Sequence, residues 1–201
     1  MCYYDQYFWW IKGLRSMKKL KLILFVLLAL VSVIAFAKPQ NGGNLRIIIM
    51  RHAEKPATGD NLSCKGLNRA MMLPGVLVKR FGIPAYLYVP APSTGMATKS
   101  GRMLQTVWPL ATKYNLTINS KFDVDDTNDL AKNIGTKTGT VLVVWEHNAI
   151  RKIISALGVK AGKIKWQGDD YDSLWIVTIH NAKASLVQTT QGINAPDGCK
   201  F

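Results

Sequence analysis

Acidic residues are scarce in this chain: 12 Asp and Glu stand against 26 Lys and Arg, a formal net charge of +14. Five of the bases and one of the acids lie before residue 38, so residues 38–201 still carry +10. Such a surface draws anions, whether phosphorylated metabolites, nucleic acid or anionic envelope polymers. The lysines are scattered, however, and no basic strip interleaved with aromatics occurs, so no nucleic-acid partner is expected and the charge reads as a basic solvated surface. Repeats and low-complexity tracts are also missing, which argues against a solenoid. Hydrophobic residues at 48% and charged residues at 19% mark a globular composition. A length of 201 residues suits one domain with a substantial core, and no linker divides it.

Long hydrophobic runs are limited to one. From Met17 the chain reads MKKLKLILFVLLALVSVIAFA. Lys18, Lys19 and Lys21 form a basic head, residues 22–36 an almost unbroken apolar run, and Ala35-Phe36-Ala37 supplies small residues for signal peptidase, predicting cleavage after Ala37. Residues 1–37 are thus expected to be an amino-terminal extension plus signal peptide, the signal proper being 17–37 with Met17 the true start. Residues 38–201 form the exported domain, periplasmic or secreted. The rival is a retained membrane anchor, the one membrane contact expected, although the run falls slightly short of the about 20 apolar residues that span a bilayer. A buried core helix fits its polarity layout least.

Cysteine is nearly absent. Export removes Cys2 and leaves Cys64 and Cys199. Two thiols cannot fill a zinc shell, and an even pair in an oxidising compartment predicts a disulfide that ties the carboxyl-terminal tail to the domain, the alternative being two free thiols.

Residues 45–50 (LRIIIM) are an apolar, β-branched run fit for a buried strand. After a polar loop over 53–62, Ser63 caps a helix running towards Phe81 and ended by Gly82, which Pro74-Gly75 is expected to break or kink. Residues 85–89 read as a second strand, Pro90-Ala91-Pro92 as a loop and about 100–114 as a helix. An acidic stretch, 122–129, opens a short helical segment. Residues 140–145 (TVLVVW) make the clearest buried strand, followed by a helix over 148–157. Residues 174–179 and 184–189 pair as a hairpin. Strands alternating with helices predict an α/β fold, a three-layer sandwich whose mainly parallel central sheet is flanked by helices, with the last hairpin as an antiparallel edge.

In open α/β sheets ligands bind beyond the carboxyl ends of the strands. Arg51-His52 follows the first strand, and Glu146-His147-Asn148 follows the valine-rich one. The helix after the second strand carries Arg102, with Gln105 and Thr106 on the same face. Two imidazoles and two guanidiniums describe a phosphoryl pocket. Arginine forks match phosphate oxygens, and an imidazole near neutrality is nucleophile or proton donor. A zinc site from His52, His147 and a carboxylate is disfavoured, because the arginines would repel the cation; no metal or cofactor is expected.

IIIMRHAEKP resembles the Arg-His-Gly-type signature of the histidine phosphatase superfamily, which has the phosphoglycerate mutase-like fold. NLSCKGLNRA is similar to its Leu-Ser-x-x-Gly-x-x-Arg-Ala helix, GRMLQT to its second-arginine helix and VLVVWEHNAI to its second-histidine strand. GDDYDSLWIV resembles a late segment of small bacterial members. The resemblance implies His52 as the nucleophile that becomes phosphohistidine, Arg51 and Arg102 as phosphoryl ligands, and His147 as the second pocket histidine. It implies a metal-independent phosphohydrolase acting on a small phosphorylated substrate. Ala53 stands where the family commonly has glycine, and the mutase-type continuation is absent, which disfavours a sugar-phosphate mutase.

The proton donor is open. Where larger relatives place an aspartate after the second histidine, this chain has Asn148. Glu146, Asp126, Asp125 and Asp123 are the candidates, the aspartates also being natural helix caps; Glu54 is expected to bond within the pocket and contact substrate. A missing donor would favour leaving groups that need little proton assistance. The alternative to an enzyme is a non-catalytic phosphate-ligand binding module of the cell envelope. Tyr171, Trp145, Trp166 and Trp175 are read as core or rim packing, with the lining of a substrate pocket as the alternative; Asp169, Asp170 and Asp172 read as turn formers and His180 as surface.

Overall fold

The computed structural model describes residues 44–92 and 100–199. The extension and signal peptide predicted for 1–37 lie outside the described residues, as does residue 38, where the exported domain was expected to open.

Side chains alternate across a strand, so an uninterrupted apolar strand has to be covered on both faces. β1 (Leu45–Arg51) and β4 (Gly139–Trp145) are such strands. Ile47 and Ile49 join Val141, Val143 and Trp145 on one face. They pack there with Leu130 and Ile134 of α3 (Thr127–Gly135) and Ile150 and Ile153 of α4 (His147–Ala156). Ile48, Met50, Leu142 and Val144 turn to the other face. There they meet Leu73 and Leu77 of α1 (Cys64–Phe81) and Val107 and Leu110 of α2 (Gly101–Tyr114). The sheet is therefore the middle layer of an α/β/α sandwich, as predicted.

The strand order is β3-β2-β4-β1-β5-β6, with β2 at Tyr86–Tyr88, β3 at Ile118–Asn119, β5 at Ser173–His180 and β6 at Lys183–Thr190. β1 to β4 are parallel; β5 runs antiparallel beside β1 and β6 antiparallel at the edge. The two-residue β3 was not expected, because so short an element leaves no periodic signal. The β1/β4 register sets Leu45 against Gly139 and Arg51 against Trp145. The next residues, His52 and Glu146, consequently leave the sheet side by side.

The break expected at Pro74-Gly75 does not occur. α1 runs through Pro74 without interruption, although proline withholds the hydrogen bond due to the Ala70 carbonyl. Pro74 is itself buried with Leu73 and Leu77, and burial of that apolar face outweighs one lost bond. Cys64 and Cys199 are joined in a disulfide, their Cα atoms 4.9 Å apart. Asn68 Nδ2 donates to the carbonyls of Pro196 and Gly198, each at 2.9 Å, so the tail lies along the start of α1.

Candidate active site

His52 is 3% exposed at the carboxyl end of β1. Its Nδ1 is 2.7 Å from the Ala53 carbonyl oxygen. That oxygen can only accept, so Nδ1 donates and Nε2 keeps its lone pair. Burial pushes the imidazole pKa from 6.5 down to about 4; the Ala53 carbonyl opposes the shift, and the charges of Arg51, Arg102 and His147 add to it. His52 is thus neutral at pH 7, the form in which an imidazole is a nucleophile. That Arg51, Arg102 and His147 all act electrostatically on His52 places the four residues predicted for the pocket near one another.

Arg51 is 1% exposed. Its Nη1 donates to the Gly168 carbonyl at 2.7 Å, and its guanidinium lies 3.9 Å from the centroid of the Tyr171 ring. Its Nε and Nη2 are buried and have no acceptor among the described residues. Burial lowers its pKa, partly opposed by Tyr171, Glu146, Asp170 and Asp169. Buried donors of a charged group are rarely left unpaired, and each costs about 1–3 kcal/mol or more when they are. They suit an anion's oxygens. Arg102, from the first turn of α2, donates through Nε to the Asp60 carbonyl at 3.0 Å and keeps Nη2 3.6 Å from Asp60 Oδ1.

His147 opens α4, and Glu146 caps it: Glu146 Oε2 accepts the Asn148 N–H at 3.1 Å and Oε1 the Asn148 side-chain amide at 2.8 Å. His147 Nδ1 is 3.0 Å from Glu146 Oε1, but at an angle outside hydrogen-bond geometry, so this buried nitrogen has no partner. A hydrogen bond weakens steeply with misalignment, so this approach is electrostatic only. Burial and then Arg51 lower the His147 pKa, with Glu146 acting the other way.

Two helices hold the backbone that follows His52. Thr106 Oγ1, in α2, accepts the Ala53 N–H at 2.9 Å and donates to the Arg102 carbonyl at 2.7 Å. Gln105 accepts the Leu62 N–H and donates to Asn61. From α1, Ser63 donates to the Glu54 carbonyl through both its N–H and its hydroxyl, and that hydroxyl caps Gly66. Gly66 has no room for a side chain, since a Cβ there would stand 2.2 Å from the Glu54 carbonyl oxygen.

The Glu54 carboxylate, expected to bond within the pocket and contact substrate, is engaged in an ion pair. It is gripped by Arg69, whose Nε lies 3.0 Å from both oxygens; a buried carboxylate demands such a partner. Asp123, Asp125 and Asp126 form the exposed turn that starts α3, where Asp126 Oδ2 accepts the Asp123 N–H at 3.0 Å and Asp125 faces Lys152 at 3.7 Å. The carboxylates whose charge reaches Arg51 are Glu146, Asp170 and Asp169. Asp170 is occupied by the N–H groups of Asp172 and Ser173. Of the two sequence readings of Tyr171, packing or pocket lining, its position suits the second: its ring stacks on Arg51 and lies 6.0 Å from that of His52. Among the described residues no cluster of three or more His, Cys, Asp or Glu could hold a metal ion.

By sequence, no family model and no curated protein matches the chain. By structure, several solved proteins do. The protein histidine phosphatase SixA complexed with tungstate aligns over 73% of this chain and 97% of its own at 13% identity, TM-score 0.52. A phosphoglycerate mutase from Bacillus anthracis aligns over 76% and 95% at 13% identity, TM-score 0.52. A phosphoserine phosphatase from Entamoeba histolytica, bound to phosphoserine, aligns over 74% and 97% at 10% identity, TM-score 0.50. The chain therefore has the histidine phosphatase, or phosphoglycerate mutase-like, fold.

Proposed function

We propose that this protein is a phosphohydrolase that cleaves phosphate monoesters or related phosphoryl groups through a phosphohistidine on His52. One observation carries this: a neutral, buried imidazole with a free Nε2 stands beside a buried guanidinium with two unpaired donors. Nε2 attacks phosphorus, the bond to the leaving oxygen breaks, and Arg51, Arg102 and His147 stabilise the charge on the equatorial oxygens. Water then attacks phosphorus, giving up a proton, while the phosphorus–nitrogen bond breaks and its electron pair returns to Nε2, releasing inorganic phosphate and restoring His52. The phosphatases among its structural neighbours support the assignment.

Of the four carboxylates nominated as donor, only Glu146 stands beside a pocket histidine, and both its oxygens are engaged in capping α4. The leaving group consequently receives little proton assistance, which favours phosphohistidine, acyl or aryl phosphates over alkyl esters. The basic head and apolar run of 17–37 support export to the periplasm or beyond, where a small phosphorylated substrate would be met. The test uses p-nitrophenyl phosphate in excess chelator. Turnover should persist with chelator and fall about 10⁴-fold in His52→Ala. Phosphate binding without turnover by the wild type would instead favour the non-catalytic binding module.

A further inference from the structure

Arg69 is 5% exposed and lies outside the set of groups assigned to phosphoryl transfer. Its fork is fully used. Nε and Nη2 hold Glu54, at 3.0 Å to both oxygens and 2.8 Å to Oε1, while Nη1 reaches Asp172 Oδ1 at 2.8 Å and Gln191 Oε1 at 3.1 Å. Burial acts to lower its pKa, but the two carboxylates outweigh this and raise it. Glu54 comes two residues after His52, and Asp172 comes directly after Tyr171. Gln191 closes the circuit, donating to the Tyr171 carbonyl at 2.9 Å through its side chain and to the Asp172 carbonyl at 2.7 Å through its backbone. Asp172 also accepts the N–H groups of Gly192 and Ile193. One guanidinium thus joins the segment that carries the nucleophile to the segment whose ring stacks on Arg51.

A buried ion network of this kind is weak evidence of net stability, since an apolar set of equal volume commonly does as well; what it does supply is a fixed geometry. We infer that Arg69 is a positioning residue of the phosphoryl site: by holding Glu54 against Asp172 it sets His52 relative to Tyr171, and through the Tyr171 ring sets Arg51. This rests on the phosphohydrolase proposal for its kinetic consequences, but the positioning itself is measurable without turnover. A misplacement of about 1 Å can cost on the order of 100-fold in rate.

The test compares Arg69→Lys, Tyr171→Leu and the double variant in the full chain. Lysine keeps a charge against Glu54 but lacks the fork that reaches Asp172 and Gln191 at once. Expected for Arg69→Lys is a 10- to 100-fold lower kcat on p-nitrophenyl phosphate, in a variant destabilised by its unpaired partners but folded at the assay temperature. The double variant should be no slower than the slower single one, because both act through the same contact with Arg51. In parallel, NMR titration of the His52 imidazole should move from near pH 4 towards 6.5 in Arg69→Lys, as the loosened loop admits water. Wild-type kcat and an unmoved His52 titration in folded Arg69→Lys would overturn the inference, as would losses that multiply in the double variant. Should Arg69→Lys fail to fold, Asp172→Asn takes its place, with the same outcomes deciding. If the wild type hydrolyses nothing, the His52 titration alone decides the positioning role, and only the functional proposal falls.

Discussion

Arg46 and Arg51 stand near opposite ends of β1, and each has a histidine close by. Arg46 shares a surface concavity with Asn44, Thr178 and His180. Its Nε and Nη2 donate to Thr140 Oγ1, and Nη2 also to the Phe81 carbonyl at 2.7 Å. His180 is exposed, with Nδ1 2.6 Å from Asn44 Oδ1. At the other end Arg51 and His52 are buried, Arg51 has two donors without acceptors, and the imidazole is held neutral. The residue types match; the environments do not. Satisfied polar groups in contact with water are structure, whereas buried donors kept unpaired are a site in waiting.

The most severe way to break the comparison is to remove one arginine at a time. Arg51→Ala is expected to lower kcat/KM on p-nitrophenyl phosphate by about 10³-fold, from loss of preorganised charge at the phosphoryl oxygens. Arg46→Ala should stay within about 3-fold of wild type, because it loses only surface hydrogen bonds. Comparable losses at both ends would erase the distinction.

Crowding offers a second contrast within α1. A Cβ at Gly66 would collide with the Glu54 backbone, whereas one at Gly75 meets nothing within 4 Å. Gly66→Ala should cost about 3 kcal/mol in denaturant unfolding. Gly75→Ala should be neutral or stabilise by up to about 1 kcal/mol.

The smallest effect concerns pH. The His52 pKa is depressed from 6.5 to about 4 in the folded protein, so in that window the unfolded chain binds the extra proton. Stability should rise with pH through the window and be lost on acidification, by about 2 kcal/mol between pH 6.5 and pH 5. His52→Gln should flatten that part of the profile in denaturant titrations at several pH values.

Most of the fold was legible because its signals are local. The runs at 45–50 and 140–145 are too apolar for anything but strands covered on both faces, and Ser63 and Gly82 bound α1 as caps. Of the break or kink expected at Pro74, no break occurs, since a propensity rule knows nothing of the apolar face that holds the helix together. At the site, strand-end position singled out Arg51, His52 and His147, and the Arg-x-x-Gln-Thr spacing singled out Arg102. That Glu54 bonds was expected, but its partner, Arg69, was not named because it lies a helix away. The spacing of Ser63, Gly66 and Arg69, three residues apart, does mark one helical face that could have been read as converging on one point. For Tyr171 the spacing did not separate pocket lining from packing.

By itself the sequence determined which segments become strands and helices, which residues can carry charge and lone pairs, and that an anion is the natural guest of so basic a set. Only the tertiary structure decided which of those groups are neighbours and which are left unpaired. Pairing β1 with β4 brings residues almost a hundred positions apart to the same sheet end. Burial there then chooses the neutral imidazole over the charged one. Both depend on distance and dielectric, which exist only once the chain has closed on itself.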